Sequence, residues 1–320
     1  GQVVALYNLM AQILVELIKM ANLFITITKS LACADRVAAV MQIDSGAHGG
    51  NKLPANGSPC GSVEFKNVSF EYKNAGAEAL FDISFFAKPG QTVGIIGGTG
   101  SGKSTLVNLV PNFYSATKGQ VLIDGVNADE YDRAALLSAV SVVPQKAVLF
   151  EGTIRSNLLM GNPNASEAEL FSALETAQAA EIVRTKPNGI DEPVLRGGSN
   201  FSGGQKQRLS IARALVHGGR ILILDDSASA LDFATDAKLR AAIRKLSPAP
   251  TTFIVSQRAA SVMFADFIIV LDEGRAVGQG THEELLRNCA VYREIYASQF
   301  PDEAAKLSIP NNTPEGDAAK

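Results

Sequence analysis

The stretch VGIIGGTGSGKSTL, Val93 to Leu106, leaves the chain few ways to fold. An apolar strand, Val93 to Ile96, runs into Gly97-x-x-x-x-Gly102-Lys103-Ser104, and Leu106, Leu109 and Val110 then recur at helical spacing. Strand, glycine-rich loop and helix in that order make the P-loop pattern. Consecutive backbone N–H groups across Gly97, Gly98, Thr99, Gly100, Ser101, Gly102, Lys103, Ser104 and Thr105 can turn into one concavity, and the start of the helix adds its positive end. Lys103 is placed to reach the β- and γ-phosphates of a nucleotide, and the Ser104 hydroxyl to ligate Mg²⁺. A glycine-rich turn without a ligand is the competing reading, and the flanking strand and helix weigh against it.

A second aliphatic run, ILILDDSASALD from Ile221 to Asp232, ends in a carboxylate, which is how a buried parallel strand delivers an acid to a phosphate site. Asp225 is then the expected Mg²⁺ carboxylate. Further strands are expected at SVEFKNVSFEY, where the alternation of Val63 and Phe65 shifts phase before Val68 and Phe70, and at VLIDGVN, TFIVS and DFIIVLDEGRAVGQG, the last a hairpin turning at Asp272 to Gly274. Between them SEAELFSALETAQAAEIV opens with a Ser166/Glu169 capping box and repeats Leu170, Leu174 and Ala177, which predicts a helical insert. Apolar strands alternating with helices predict an α/β domain with much parallel pairing. With 320 residues, 46% of them hydrophobic and 19% charged, the chain can bury the core this requires.

The formal net charge of -3, with no basic block, argues against a nucleic-acid partner. The three cysteines, Cys33, Cys60 and Cys289, have neither metal-ligand nor CxxC spacing and read as reduced thiols. Val3 to Ile27 is apolar and long enough to cross a bilayer. Its polar residues Asn8, Gln12, Glu16, Lys19 and Asn22, with Thr26 and Ser30 after them, fall within roughly a third of the helix circumference. A membrane helix turns such a stripe toward other helices or a water-filled path, so Glu16 and Lys19 are candidates for lining a cavity or for an ion pair. An amphipathic helix on a soluble domain is the other reading. Lys29 and Arg36 favour a cytoplasmic end after the apolar run. The expected order is a membrane helix and its extension (1–44), a Gly/Pro/Asn/Ser-rich connector (45–61), a globular domain (62–300) and a disordered tail (301–320).

NFSGGQKQRLSIARAL, Asn200 to Leu215, places a Ser-Gly-Gly turn at the mouth of a helix, with Ser202, Gly203, Gly204 and Gln205 as a second phosphate-binding surface. Two cradles in one domain make sense if each nucleotide lies between the P-loop of one subunit and the Ser-Gly-Gly helix of another. This signature, the P-loop, Gln145 in VVPQ and Ser229 to Asp232 in SALD together resemble the ATP-binding cassette, over roughly 62–300. The resemblance implies a P-loop NTPase fold with a RecA-like core, an antiparallel β subdomain and an α-helical subdomain. It also implies ATP and Mg²⁺ as cofactors, Tyr72 stacking on adenine, and Gln145 beside the metal and the attacking water. The apolar helix followed by ADRVAAVMQI resembles the last membrane helix of an ABC exporter. That implies a protein of the cell membrane with its ATP-binding domain on the cytoplasmic face, in contact with lipid. One span cannot enclose a pathway, so the chain reads as the C-terminal part of a longer half-transporter.

The sequence departs from that family at the catalytic positions. Where competent members carry a Glu after the strand-ending Asp, and a His at the end of a later strand, this chain has Asp226 and Gln257. Both changes strike hydrolysis and spare binding, whereas the signature keeps its pattern with Phe201 for the usual Leu. The resemblance thus points to the degenerate-site half of a heterodimeric bacterial multidrug-type exporter; a homodimer would have two slow sites. Arg196 stands where the family usually has a Glu that contacts the membrane domain. Transport substrates compatible with the polar stripe are amphiphilic or cationic small molecules, lipids or peptides. A soluble ABC ATPase and a non-hydrolysing ATP-binding regulatory module are the rival readings.

Overall fold

The structure is a computed structural model, and it describes residues 1–42, 50–53, 61–73, 76–227 and 229–302. The tail expected after Pro301 and most of the connector, Cys60 included, therefore lie outside the described residues. The chain divides into two units, Gly1–Ala47 and His48–Lys320.

The first unit is one helix, α1 (Gln2–Met41), of 40 residues, all of them exposed. It carries the expected apolar span and runs on through Lys29 and Arg36 without a break, because nothing in LACADRVAAVM terminates a helix. At 1.5 Å per residue it is about 60 Å long, roughly twice the thickness of a bilayer's hydrocarbon core. Glu16 and Lys19 form an ion pair of 2.8 Å.

The second unit begins with β1 (Val63–Glu71), β2 (Glu78–Ala87), β3 (Thr92–Gly97), α2 (Lys103–Asn108), β4 (Lys118–Ile123), β5 (Val126–Asn127), α3 (Arg133–Ala139) and β6 (Val140–Val143). The helical insert comes next, with β7 (Gly152–Thr153), α4 (Ile154–Leu159), α5 (Glu167–Thr176), α6 (Ala180–Arg184), β8 (Pro193–Val194) and α7 (Gly203–His217). The remainder is β9 (Ile221–Asp225), α8 (Phe233–Arg244), β10 (Thr251–Ser256), α9 (Ala259–Val262), β11 (Phe267–Asp272), β12 (Arg275–Gly280), α10 (His282–Asn288) and α11 (Ala290–Gln299).

Six strands form the main sheet in the order β12-β11-β3-β10-β9-β6, parallel throughout except for the edge strand β12. The β2-β1-β4-β5 sheet is antiparallel. The phase shift after Phe65 is a register irregularity in β1 against both of its neighbours. The expected hairpin turns through Glu273 and Gly274, both in the left-handed region. The Ser166/Glu169 capping box is formed at the start of α5. One expectation shortens: α2 stops at Asn108, so Leu109 and Val110 are buried beyond it. Pro111 disfavours helical backbone at the residue before it.

Alternation along the parallel strands divides the core in two. Val93 and Ile95, Ile221 and Ile223, Phe253 and Val255, and Ile269 and Leu271 face the layer built from the antiparallel sheet and α2. Ile96, Leu222, Leu224, Ile254, Ile268 and Val270 face the layer that includes α7 and α8. Strands buried on both faces need continuous aliphatic runs, which is why these read as unbroken hydrophobic segments. Because Ile95 is fully buried between the sheets, Ile95→Ala is expected to lower the unfolding free energy by about 2–5 kcal/mol, measured by urea denaturation; a loss under about 1 kcal/mol would mean the two sheets close over the cavity.

Candidate functional site

β3, β9 and β10 end at one edge of the main sheet, and the cleft there, of about 400 Å³, is lined by residues from each of their C-terminal ends. The P-loop leaves β3 at Gly97. A Cβ at Gly97 would stand 2.0 Å from the Leu271 carbonyl oxygen, so the tight exit toward β11 admits only glycine. Gly102, at φ 93°, turns the chain into α2, and a side chain there would strike Leu80. Between them lie Gly98, Thr99, Gly100 and Ser101, with the Ser101 N–H donating to the Gly98 carbonyl over 3.3 Å.

Lys103 is 8% exposed and folds back over the loop, donating to the Gly97 carbonyl at 2.9 Å, the Gly98 carbonyl and Ser101 Oγ at 3.3 Å. Burial holds its ammonium below the usual lysine range, against the pull of Asp226 and Asp225. The Ser104 hydroxyl donates to Asp225 Oδ1 at 3.0 Å. Two hard oxygens side by side at the head of α2 suit Mg²⁺, which takes one or two protein oxygens together with phosphates and water. No cluster of three His, Cys, Asp or Glu occurs among the described residues, so a dedicated all-protein metal cage is absent there.

Asp226 adopts a left-handed backbone, φ 44°, which costs a non-glycine residue on the order of 1–3 kcal/mol. Its N–H donates to the Val255 carbonyl at 2.9 Å, its carbonyl accepts from Ser229, and its carboxylate accepts from the Gln145 amide at 3.2 Å. Gln257 lines the same cleft from the end of β10. Tyr72 borders it too, its hydroxyl paired with that of Thr105 at 2.9 Å and its ring edge-on to Phe70 and Tyr114.

The structure thus brings Tyr72, Thr99, Gly100, Gly102, Lys103, Ser104, Thr105, Gln145, Asp225, Asp226 and Gln257 to one cleft. Ser202, Gly203, Gly204 and Gln205 do not line it. They head α7, where Ser202 accepts from the Gln205 N–H and the Gln205 side chain accepts from the Ser202 N–H. Asp232 caps α8 by accepting from the Thr235 N–H at 2.8 Å, so it has a local structural use as well. Two acids that sequence reasoning missed also line the cleft, Glu78 and Glu273. The turn that carries Glu273 was legible, whereas β2, which opens with Glu78, was not among the expected strands. The pairing of β11 with β3, which swings the Glu273-Gly274 turn against the P-loop so that the Gly274 N–H donates to the Ser101 carbonyl, left no local signal.

Known proteins share the fold that holds this cleft. The family profile described as ABC transporter matches residues 80–229. An uncharacterized ABC transporter ATP-binding protein of Mycobacterium tuberculosis is 41% identical over 304 residues, 93% of this chain and 52% of the relative. An ATP-dependent lipid A-core flippase of Burkholderia orbicola is 41% identical over 245 residues, 77% of this chain and 41% of the relative. The structure of a bacterial Atm1-family ABC exporter with ATP bound matches with a TM-score of 0.79 at 35% identity, over 86% of this chain and 48% of that one. The chain spans about half the length of the curated relatives it matches.

Burial pushes the Asp225 carboxyl above the usual aspartate range, and the Ser104 hydrogen bond only partly offsets this. A carboxyl raised on folding favours its neutral form, so it costs stability above its folded value, and the cost disappears as pH falls below the unfolded one. At neutral pH, Asp225→Asn is therefore expected to melt no lower than wild type without nucleotide. It should lose most of the stabilisation that MgATP provides, about 2.7 kcal/mol at roughly a hundredfold excess over Kd. Thermal melts with and without MgATP check both statements.

Proposed function

The chain carries an ABC transporter ATP-binding domain, and on that premise we propose that it is the ATP-binding part of a membrane exporter, holding Mg-ATP at its own P-loop and hydrolysing it slowly. One observation carries the reading: Asp226 and Gln257 stand in the same cleft as an intact set of Lys103, Ser104 and Asp225. Lys103 and the loop N–H groups would hold the phosphates, Ser104, Asp225 and Gln145 would face Mg²⁺, and Tyr72 the adenine. Mg²⁺ held there would supply positive charge against the charge that develops on the phosphates.

The chain's own groups limit hydrolysis. Asp226 is one methylene shorter than a glutamate, and its carboxylate is already held by Gln145. General-base help of the kind it would have to give is typically worth about 10² to 10⁴ in rate. Gln257 can hydrogen-bond a terminal phosphate but cannot carry a proton or a positive charge.

Ser202 and Gly203 are exposed and lie off the cleft that holds Lys103. They therefore serve a nucleotide bound by a second half-transporter, and a heterodimer supplies the competent site that this chain lacks. The helix α1 supports a place in the cell membrane among lipid, with the ATP-binding domain on the cytoplasmic side. Exposed Arg196 would meet the membrane domain with a charge opposite to the family's usual one. The relative that flips lipid A core makes an amphiphilic lipid one substrate class; small cationic amphiphiles and peptides are the others.

In the complex with its partner, Lys103→Ala is expected to keep part of the ATP turnover. Ser202→Arg should lower it by about 10² or more, the scale seen when a preorganised donor is lost. Steady-state phosphate release measures both. Intact turnover in the Ser202 variant would overturn the assignment of the signature to the partner's site, and complete loss in the Lys103 variant would point to a homodimer. Conversely, Asp226→Glu with Gln257→His should speed single-turnover hydrolysis at this site by on the order of 10².

A further inference from the structure

The residue that faces the terminal phosphate in the proposed site is held from behind by the last turn of the domain. Gln257 and Arg258 are the two residues between β10 and α9, and Ala259 opens α9. Gln257 and Ala259 are tied to the same side chain, and Arg258 between them is tied elsewhere. The Gln257 carbonyl accepts from Gln299 Nε2 at 2.8 Å. The Ala259 N–H donates to Gln299 Oε1, also at 2.8 Å. Between them, the Arg258 N–H donates to Ser256 Oγ at 3.0 Å, and its guanidinium donates to the Ser229 carbonyl at 3.1 Å and lies over the Phe233 ring.

Gln299 is the final residue of α11, and its single carboxamide thus spans residue 258 and pairs with the backbone on both sides of it. One amide that accepts from residue i+2 and donates to residue i copies what a neighbouring strand would do. It carries the order of β10 through the two-residue turn into α9. A lysine, glutamate or aliphatic residue at 299 could not make both bonds. Ser298, one residue earlier, uses its hydroxyl on the Ile295 carbonyl of its own helix and takes no part.

We infer that Gln299 is a positioning residue for the nucleotide site: by fixing the backbone of Gln257 and Ala259 it aims the Gln257 carboxamide at the terminal phosphate of bound ATP. The inference rests on the reading of the cleft as an ATP site with Gln257 at the γ-phosphate. Its signature is selective. A group that acts through Gln257 matters for ATP and not for ADP, and matters only while Gln257 has its amide.

The test is nucleotide affinity of the full chain, read as Kd for MgATP and for MgADP by displacement of a fluorescent nucleotide. Gln299→Ala is expected to weaken MgATP by about three- to tenfold, the scale of one or two part-exposed hydrogen bonds, and to leave MgADP within about twofold. In a Gln257→Ala background the same substitution should change neither, because the group being aimed is gone, even though that background still has the two backbone bonds that Gln299→Ala removes. Ser298→Ala should bind both nucleotides as wild type does, which shows that the end of α11 tolerates change. Equal weakening of ATP and ADP, an undiminished effect in the Gln257→Ala background, or no effect at all would each overturn the inference and leave Gln299 a fastening of the helix. Loss of MgATP binding by wild type itself would instead remove the reading of the cleft.

Discussion

The site depends on the register in which three parallel strands pair. β10 lies between β3 and β9, with Ile95 and Asp225 both opposite Val255, and Ile96 opposite Ser256. Three chain segments drawn from distant parts of the sequence therefore finish level with one another. The P-loop after β3, the Asp225-Asp226 pair at the end of β9 and Gln257 after β10 then fall into one cleft outside the carboxyl ends, where ligands of parallel sheets are received. A slip of one residue in either ladder would turn Asp225 into the core and an aliphatic side chain into the cleft. The cost of burying the Asp225 carboxylate among aliphatic side chains opposes it.

That arrangement explains which parts were legible in the sequence. The P-loop could be read because its chemistry, its strand and its helix are contiguous, and the Ser166 box and the Glu273-Gly274 turn because caps and turns are set by neighbours about three residues apart. The phase change in SVEFKNVSFEY was visible for the same reason. Strand order was not, since β11 and β3 are brought together by a pairing with no local trace, and with it came the acids Glu78 and Glu273 at the cleft. Gln299 was invisible on two counts. It lies 42 residues beyond its partner, and it bonds to backbone groups, which leave no mark in sequence. Asp232 was legible on local grounds as well as through SALD, since Asp-x-x-Thr at a helix start marks it as a cap.

Electrostatics and strain converge on the same few residues. Asp225 is pushed up by burial and Lys103 pushed down, so each is less comfortable in its charged form than in water. Asp226 holds a left-handed backbone beside them. None of these would survive as a route to stability. In the proposed site the charges of a polyphosphate and a divalent cation would relieve both desolvated groups. The Gln145–Asp226 hydrogen bond belongs to the same pattern, since it occupies the acid of the pair that has no serine to share its charge.

The helix α1 poses its own electrostatic problem. In water the Glu16–Lys19 pair, exposed on both sides, would contribute a few tenths of a kcal/mol. In hydrocarbon the same two charges are costly unless they remain together and face protein or water. Two hydroxyls further along the helix need no such cover. Thr26, on the polar stripe, and Thr28, on the opposite face, both bond back to carbonyls of their own helix, at Asn22 and Phe24. A threonine that satisfies itself can face lipid; a glutamate and a lysine cannot. Were α1 to span a bilayer as proposed, the stripe from Asn8 to Asn22 would be the face to cover with other helices or water, and the face bearing Thr28 the one left to lipid.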